Sequence, residues 1–160
     1  MLAALLGVFL VTGACTGFLL TAMERQAAVL QAAALEGQHE ALAEIISDLL
    51  KSTVDFQIYE TAPAKLETEK LIPGLPAGDC LVCFAQGGTS EFYLKGNQVE
   101  YDRFVNGAIQ TRVFSGVSKI DGQPLFSISN KLGIVQAQWN VTTTIDLVPF
   151  NVYGMPLPMR

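Results

Sequence analysis

The chain has 160 residues, half of them hydrophobic, with ten Lys and Arg against fifteen Asp and Glu for a formal net charge of −5. That balance argues against nucleic acid and anionic lipid headgroups as partners, because a phosphate-binding surface needs clustered cations. With about a third of the residues committed to one N-terminal helix, roughly a hundred remain for a single compact domain.

Residues 1–55 read as one unbroken helix in two halves. Residues 1–23 carry no charged side chain, and at 1.5 Å of rise per residue such a stretch spans roughly 35 Å, against about 30 Å for the hydrocarbon core of a bilayer. This half is predicted to cross a membrane. At Glu24-Arg25 the composition changes, yet no proline precedes Pro63 and Gly37 is the one glycine between Gly17 and Gly74, so residues 24–55 are predicted to continue the same helix. There Leu35, Leu42, Ile45, Ile46 and Leu49 recur at helical spacing while Glu36, Glu40, Glu44, Asp48 and Lys51 point elsewhere, the pattern of an amphipathic helix. Leu42, Ile45, Ile46 and Leu49 are therefore expected to be buried against the domain. Alanines at 27, 28, 32, 33, 34, 41 and 43 and glycines at 7, 13 and 17 keep the rod thin enough for other helices to approach closely. The positive-inside rule has too few cations here to set an orientation. A cleaved secretory signal fits poorly, since the apolar run is too long. Thr12-Gly13-Ala14-Cys15 has some likeness to a lipoprotein processing site, but threonine stands where leucine is usual and the apolar run continues through Phe18-Leu19-Leu20.

Residues 56–160 read as β structure. The helix is expected to fray at residues 53–55 and hand over to a strand at Phe56-Gln57-Ile58-Tyr59. A connector over residues 61–78, rich in proline and glycine, holds the charged patch at 65–70, where a short helical turn is possible. Strands are predicted at residues 80–85, 91–94, 99–104, 108–114, 125–129 and 133–145, with turns at Lys95-Gly96-Asn97-Gln98, Asn106-Gly107 and Asp121-Gly122. No helical period follows Asp55, so no crossover helix is available and the sheet is predicted to be antiparallel. Residues 147–160, with prolines at 149, 156 and 158, are expected to run extended over the surface.

No catalytic, cofactor-binding or metal-ligating residue is assigned. The single histidine, His39, lies on the helix beside Glu36 and Glu40, so a nucleophile-histidine device would have to be assembled around the rod. Cys80 and Cys83 form a CxxC but lack the helix start of a redox motif and the further ligands of a zinc site. In a regular strand, positions three apart face opposite ways and cannot close a disulfide without distortion. Gln86-Gly87-Gly88-Thr89 has no following helix to cradle a phosphate, and Asp121-Gly122 lacks the further oxygens calcium needs. Asn140-Val141-Thr142 matches a glycosylation sequon inside a predicted strand, and Trp139 reads as a core or sheet-face aromatic.

An apolar helix at Met1-Leu2-Ala3-Ala4-Leu5-Leu6-Gly7-Val8-Phe9-Leu10, continuous past Glu24-Arg25-Gln26 with the amphipathic stretch at 42–50, and then a small antiparallel sheet, resembles type IV pilins and the pseudopilins of type II secretion systems. The hairpin Glu91-Phe92-Tyr93-Leu94-Lys95-Gly96-Asn97-Gln98-Val99 looks like the tyrosine-bearing hairpin of minor pilins and pseudopilins. The resemblance implies an α+β, pilin-like fold and a non-enzymatic filament subunit, without cofactor or small-molecule substrate. Such a subunit is held in the bacterial inner membrane as a single-pass protein until its helix joins those of other subunits, with the β domain periplasmic or extracellular. Family members carry a basic leader ending in glycine and a glutamate at the fifth position after cleavage. Neither lies in this sequence, so the reading frame is expected to extend upstream of Met1. The competing reading is a single-pass anchored binding or sensor domain with the helix as spacer; a third is a membrane-anchored enzyme.

Overall fold

The computed structural model describes residues 2–60, 75–85, 88–129 and 133–155, and within the N-terminal helix the side chains of Phe9 and of Val11 onward. The charged patch at 65–70, most of the connector and residues 156–160 lie outside the described residues.

Helix α1 runs from Leu2 to Ser52 and passes Glu24 without a break. It stops three residues short of the expected end. The Ser52 hydroxyl donates to the carbonyls of Asp48 and Leu49, and Thr53 Oγ1 donates to Leu49 O at 2.6 Å, so side chains satisfy carbonyls that a further turn would have used. The β-branched pair Thr53-Val54 then enters strand β1, Thr53–Tyr59. Residues 53–55, expected in the last helical turn, are thus strand. Among the described residues no helix is long and apolar enough to cross a membrane. The uncharged run read from the sequence includes residues 1–8 and 10, which lie outside the described side chains.

Nine further strands follow: β2 Ala77–Gly78, β3 Cys80–Ala85, β4 Gly88–Lys95, β5 Gln98–Val105, β6 Ala108–Ser115, β7 Val117–Ser118, β8 Phe126–Ser129, β9 Ile134–Thr142 and β10 Leu147–Gly154. Every pairing among them is antiparallel, as expected, but they form two sheets rather than one. Sheet A has the order β1-β3-β4-β5-β6, and sheet B the order β10-β9-β8-β2 with β7 also on β9. The predicted turns sit where the hairpins need them. Gly96 has φ of 65° at the first central position of the β4–β5 turn, and Asn106 and Gly107 have φ of 52° and 79° in the β5–β6 turn, the positive values that match strand twist.

The C-terminal segment corrects the sequence reading. Residues 147–154 do not drape over the surface; they form β10, paired along its length with β9 from Leu147↔Thr142 to Gly154↔Val135. Val148, Phe150 and Val152 alternate inward, and Pro149 is tolerated because β10 is an edge strand whose missing N–H deprives no second neighbour.

One core joins α1 to the inner faces of both sheets, with Leu42, Ile46 and Leu50 from the helix, Leu81, Phe92 and Phe114 from sheet A, and Phe126, Val135, Trp139 and Val141 from sheet B. Leu42 and Ile46 are buried as expected, whereas Ile45 and Leu49 are half-buried and Leu50 takes the central place. Helix phase is the reason, since with His39 as the inward direction Leu50 lies about 20° away and Leu49 about 80°; Gly154, where an added Cβ would lie 2.6 Å from Leu50 Cβ, leaves room for this leucine.

Leu42→Ala, Ile46→Ala and Leu50→Ala should each cost about 2 to 5 kcal/mol in chemical denaturation, and Ile45→Ala and Leu49→Ala distinctly less. Equal losses at all five positions would contradict this assignment of the helix face.

Candidate functional site

Two parts of α1 meet different surroundings. From Ala28 onward the helix rests on the domain: Thr144 Oγ1 reaches Ala28 O at 3.5 Å, Ala32 is buried, and Gln31, Ala32 and Leu35 face Thr142, Thr143 and Thr144. The loop between β9 and β10 is the lip of the domain, held by Thr143, whose hydroxyl accepts from the N–H groups of Ile145 and Asp146. Before Ala28 the described side chains are exposed, including Phe9 at 72%, Phe18 at 75% and Met23 at 66%. This free portion is about 40 Å long at 1.5 Å per residue. Its hydroxyls are satisfied within the helix, Thr16 donating to Thr12 O at 2.8 Å and Thr21 to Gly17 O at 2.9 Å.

His39 fixes how the rod is seated. Expected among the glutamates, it is instead fully buried, one heptad after Ala32 and one before Ile46, and that spacing was the available signal. Its Nε2 lies 2.7 Å from Ser115 O at the end of β6, and Trp139 Nε1 on β9 donates to its Nδ1 at 3.2 Å. A carbonyl only accepts and an indole N–H only donates, so the ring is neutral with its proton on Nε2. Burial lowers its pKa from 6.5, against a smaller raising effect of the Ser115 hydrogen bond. Phe114, Trp139 and Phe150 surround the ring, with centroids 6.4, 6.3 and 5.8 Å away. This geometry is that of a structural histidine, and among the described residues no nucleophile hydrogen-bonds to it.

The outer face of sheet A carries a polar layer that sequence reading missed, because it arises from strand register. Glu91 and Asp102 stand directly opposite each other on β4 and β5, each 2% exposed. Cys80 Sγ donates to Glu91 Oε1 at 3.6 Å, Thr111 donates to Asp102, and Tyr93 donates to Glu100, which also pairs with Lys95 at 2.9 Å. Burial pushes the Glu91 carboxyl up to about 7, opposed by the Cys80 hydrogen bond and reinforced by Asp102. The two cysteines lie on opposite faces of β3 as free, buried thiols, Cys80 among Tyr59, Val82 and Tyr93, and Cys83 in the main core. Burial raises both, Cys83 to about 12, so neither is a nucleophile at neutral pH.

Among the described residues no group of three or more His, Cys, Asp or Glu could hold a metal ion. Asp121 and Gly122 form a turn with φ of 49° and 71°. Asn140 lies in β9 paired with Pro149, and Trp139 is a core aromatic stacked on Phe150 at 5.6 Å. An open cleft of about 310 Å3 lies beside the C-terminal half of α1, lined by Ile45, Asp48, Leu49, Ser52 and by Tyr101, Arg103, Gln110 and Arg112 of β5 and β6. No protein family, curated protein or solved structure matches this chain.

The two buried titrating groups drive stability in opposite directions with pH. For His39, with its pKa below 6.5 when folded, the unfolded chain takes up the proton first, so its contribution is present above about 6.5 and is lost as pH falls. For Glu91, raised to about 7 from 4.5, the contribution is complete below 4.5 and is lost as pH rises through about 7. Denaturation followed by the fluorescence of the single Trp, between about pH 4 and 8, should show His39→Gln flattening the acid limb and Glu91→Gln flattening the neutral one. Unchanged slopes in both variants would refute the assignment.

Proposed function

We propose that the protein is a non-enzymatic subunit of a filament of the type IV pilus or type II secretion kind, a minor pilin or pseudopilin, held in a membrane by residues 1–23 and assembled through α1. One observation carries this reading. The helix continues without a break from the apolar segment into the domain, which grips it only from Ala28 onward and leaves Phe9, Phe18, Leu19, Leu20 and Met23 exposed. Apolar area left in water costs roughly 25 cal/mol per Å2, so such a rod requires lipid or other helices around it. A mere anchor needs apolar length alone. A rigid rod fused to its domain transmits position, which is what a helical assembly demands, and Gly13, Gly17 and the exposed Ala33 and Ala34 let neighbouring helices come close. Internally satisfied Thr16 and Thr21 hydroxyls suit the same surroundings.

The alternative, an anchored binding domain with the helix as spacer, draws on the arginine-lined cleft. The two readings separate at Gly17. An added Cβ there meets nothing within 4 Å in the single chain, so Gly17→Leu leaves the fold intact. A filament subunit carrying Gly17→Leu, or Ala33→Leu with Ala34→Leu, should lose the ladder of oligomers captured by cross-linking in membranes while its monomer level stays constant. Ladders equal to those of the unaltered protein would count against the filament and leave the anchored domain.

A further inference from the structure

Three described cations are paired, and Arg25, on the exposed part of α1, makes no ion pair among the described residues. Lys51 pairs with Asp48 at 3.4 Å, Lys95 with Glu100 at 2.9 Å and Lys119 with Asp79. Arg103 and Arg112 are exposed and, among the described residues, make no ion pair. Register explains why they stand together. Tyr101 is opposite Arg112 and Arg103 is opposite Gln110, so the two guanidinium groups are diagonal neighbours on the face of β5 and β6 that turns towards α1, and both line the cleft. Asp48, also in the cleft wall, is already taken by Lys51.

The matching anions are on the same helix but on its other flank. Glu40 and Glu44 are exposed and without an ion pair among the described residues. At about 100° of rotation per residue, with His39 as the inward direction, Glu40 and Glu44 lie roughly 100° and 140° round one side, whereas Leu49 and Ile45 of the cleft lie about 80° and 120° round the other. The helix itself separates them. A chain cannot place its own acidic flank in its own cleft, whereas a second copy can.

We propose that the Arg103–Arg112 cleft receives the Glu40–Glu44 flank of α1 from a second copy of this chain. Spacing favours it. Carboxylates one helical turn apart lie about 6 Å from each other, close to the roughly 7 Å of diagonal cross-strand neighbours, and guanidinium groups bind carboxylates through two parallel hydrogen bonds. The net charge of −5 makes copies repel at long range, and this cleft offers two cations that make no ion pair among the described residues. Because the two surfaces differ and lie on opposite flanks, the contact is heterologous; it repeats from copy to copy instead of closing a two-fold dimer. The inference rests on the filament reading and supplies its lateral contact.

The test uses the full chain in detergent micelles, with self-association measured by sedimentation at low and high NaCl. R103E/R112E and E40R/E44R should each weaken association by about tenfold or more, two attractions having become repulsions, and the fourfold swap should recover most of the loss. Unaltered protein should dissociate as salt rises. All four side chains are exposed, so thermal unfolding should be unchanged; R103Q/R112Q replaces any variant that misfolds. If both double variants associate like the unaltered protein while Gly17→Leu does not associate, the cleft contact is wrong and the filament reading stands. Loss without recovery in the swap also overturns the pairing. Absence of self-association in the unaltered protein removes both.

Discussion

The fold depends on one buried imidazole. His39 reaches from α1 to the carbonyl of Ser115 in sheet A and accepts from the indole of Trp139 in sheet B, so a single side chain ties the rod to both sheets. A buried polar ring without partners would cost a few kcal/mol; with one donor and one acceptor in fixed positions it is satisfied in one tautomer only, which makes it specific as well as tolerable. Trp139 in turn stacks on Phe150 with planes 5° apart, and this pair holds β10, the strand that also supplies Gly154 for Leu50. Helix register, sheet order and the C-terminal strand are therefore coupled through one cluster.

That cluster also divides the molecule. On the C-terminal side of Ala28 the helix is stabilised by its own chain, through Leu42, Ile46 and Leu50 packed in a core shared with both sheets. On the N-terminal side the same helix offers apolar side chains and small residues with no intramolecular partner among the described residues. Stability of the domain and exposure of the rod follow from a single continuous element. The polar layer of sheet A adds a contrast. Glu91 and Asp102 face each other in a buried setting, so the outer face of that sheet loses stability as pH rises through about 7, whereas the helix-facing core loses it at His39 as pH falls.

Local geometry was legible from the chain alone. Uninterrupted helix past Glu24, turns at Gly96-Asn97 and Asn106-Gly107, antiparallel pairing without a crossover helix, and opposite faces for Cys80 and Cys83 all follow from backbone periodicities of 3.6 and 2 and from the freedom of Gly and Asn to take positive φ. Tertiary structure alone decided the rest. Leu50 packs against a glycine more than a hundred residues away, where any side chain would clash with it. Val148, Phe150 and Val152 carried a strand signal that Pro149 masked until β9 supplied an edge. His39 between Ser115 and Trp139, and Leu50 against Gly154, are neighbours only through helix docking and pairing between distant strands. Such adjacencies are set by pairing across the fold, and no periodicity along the chain encodes them.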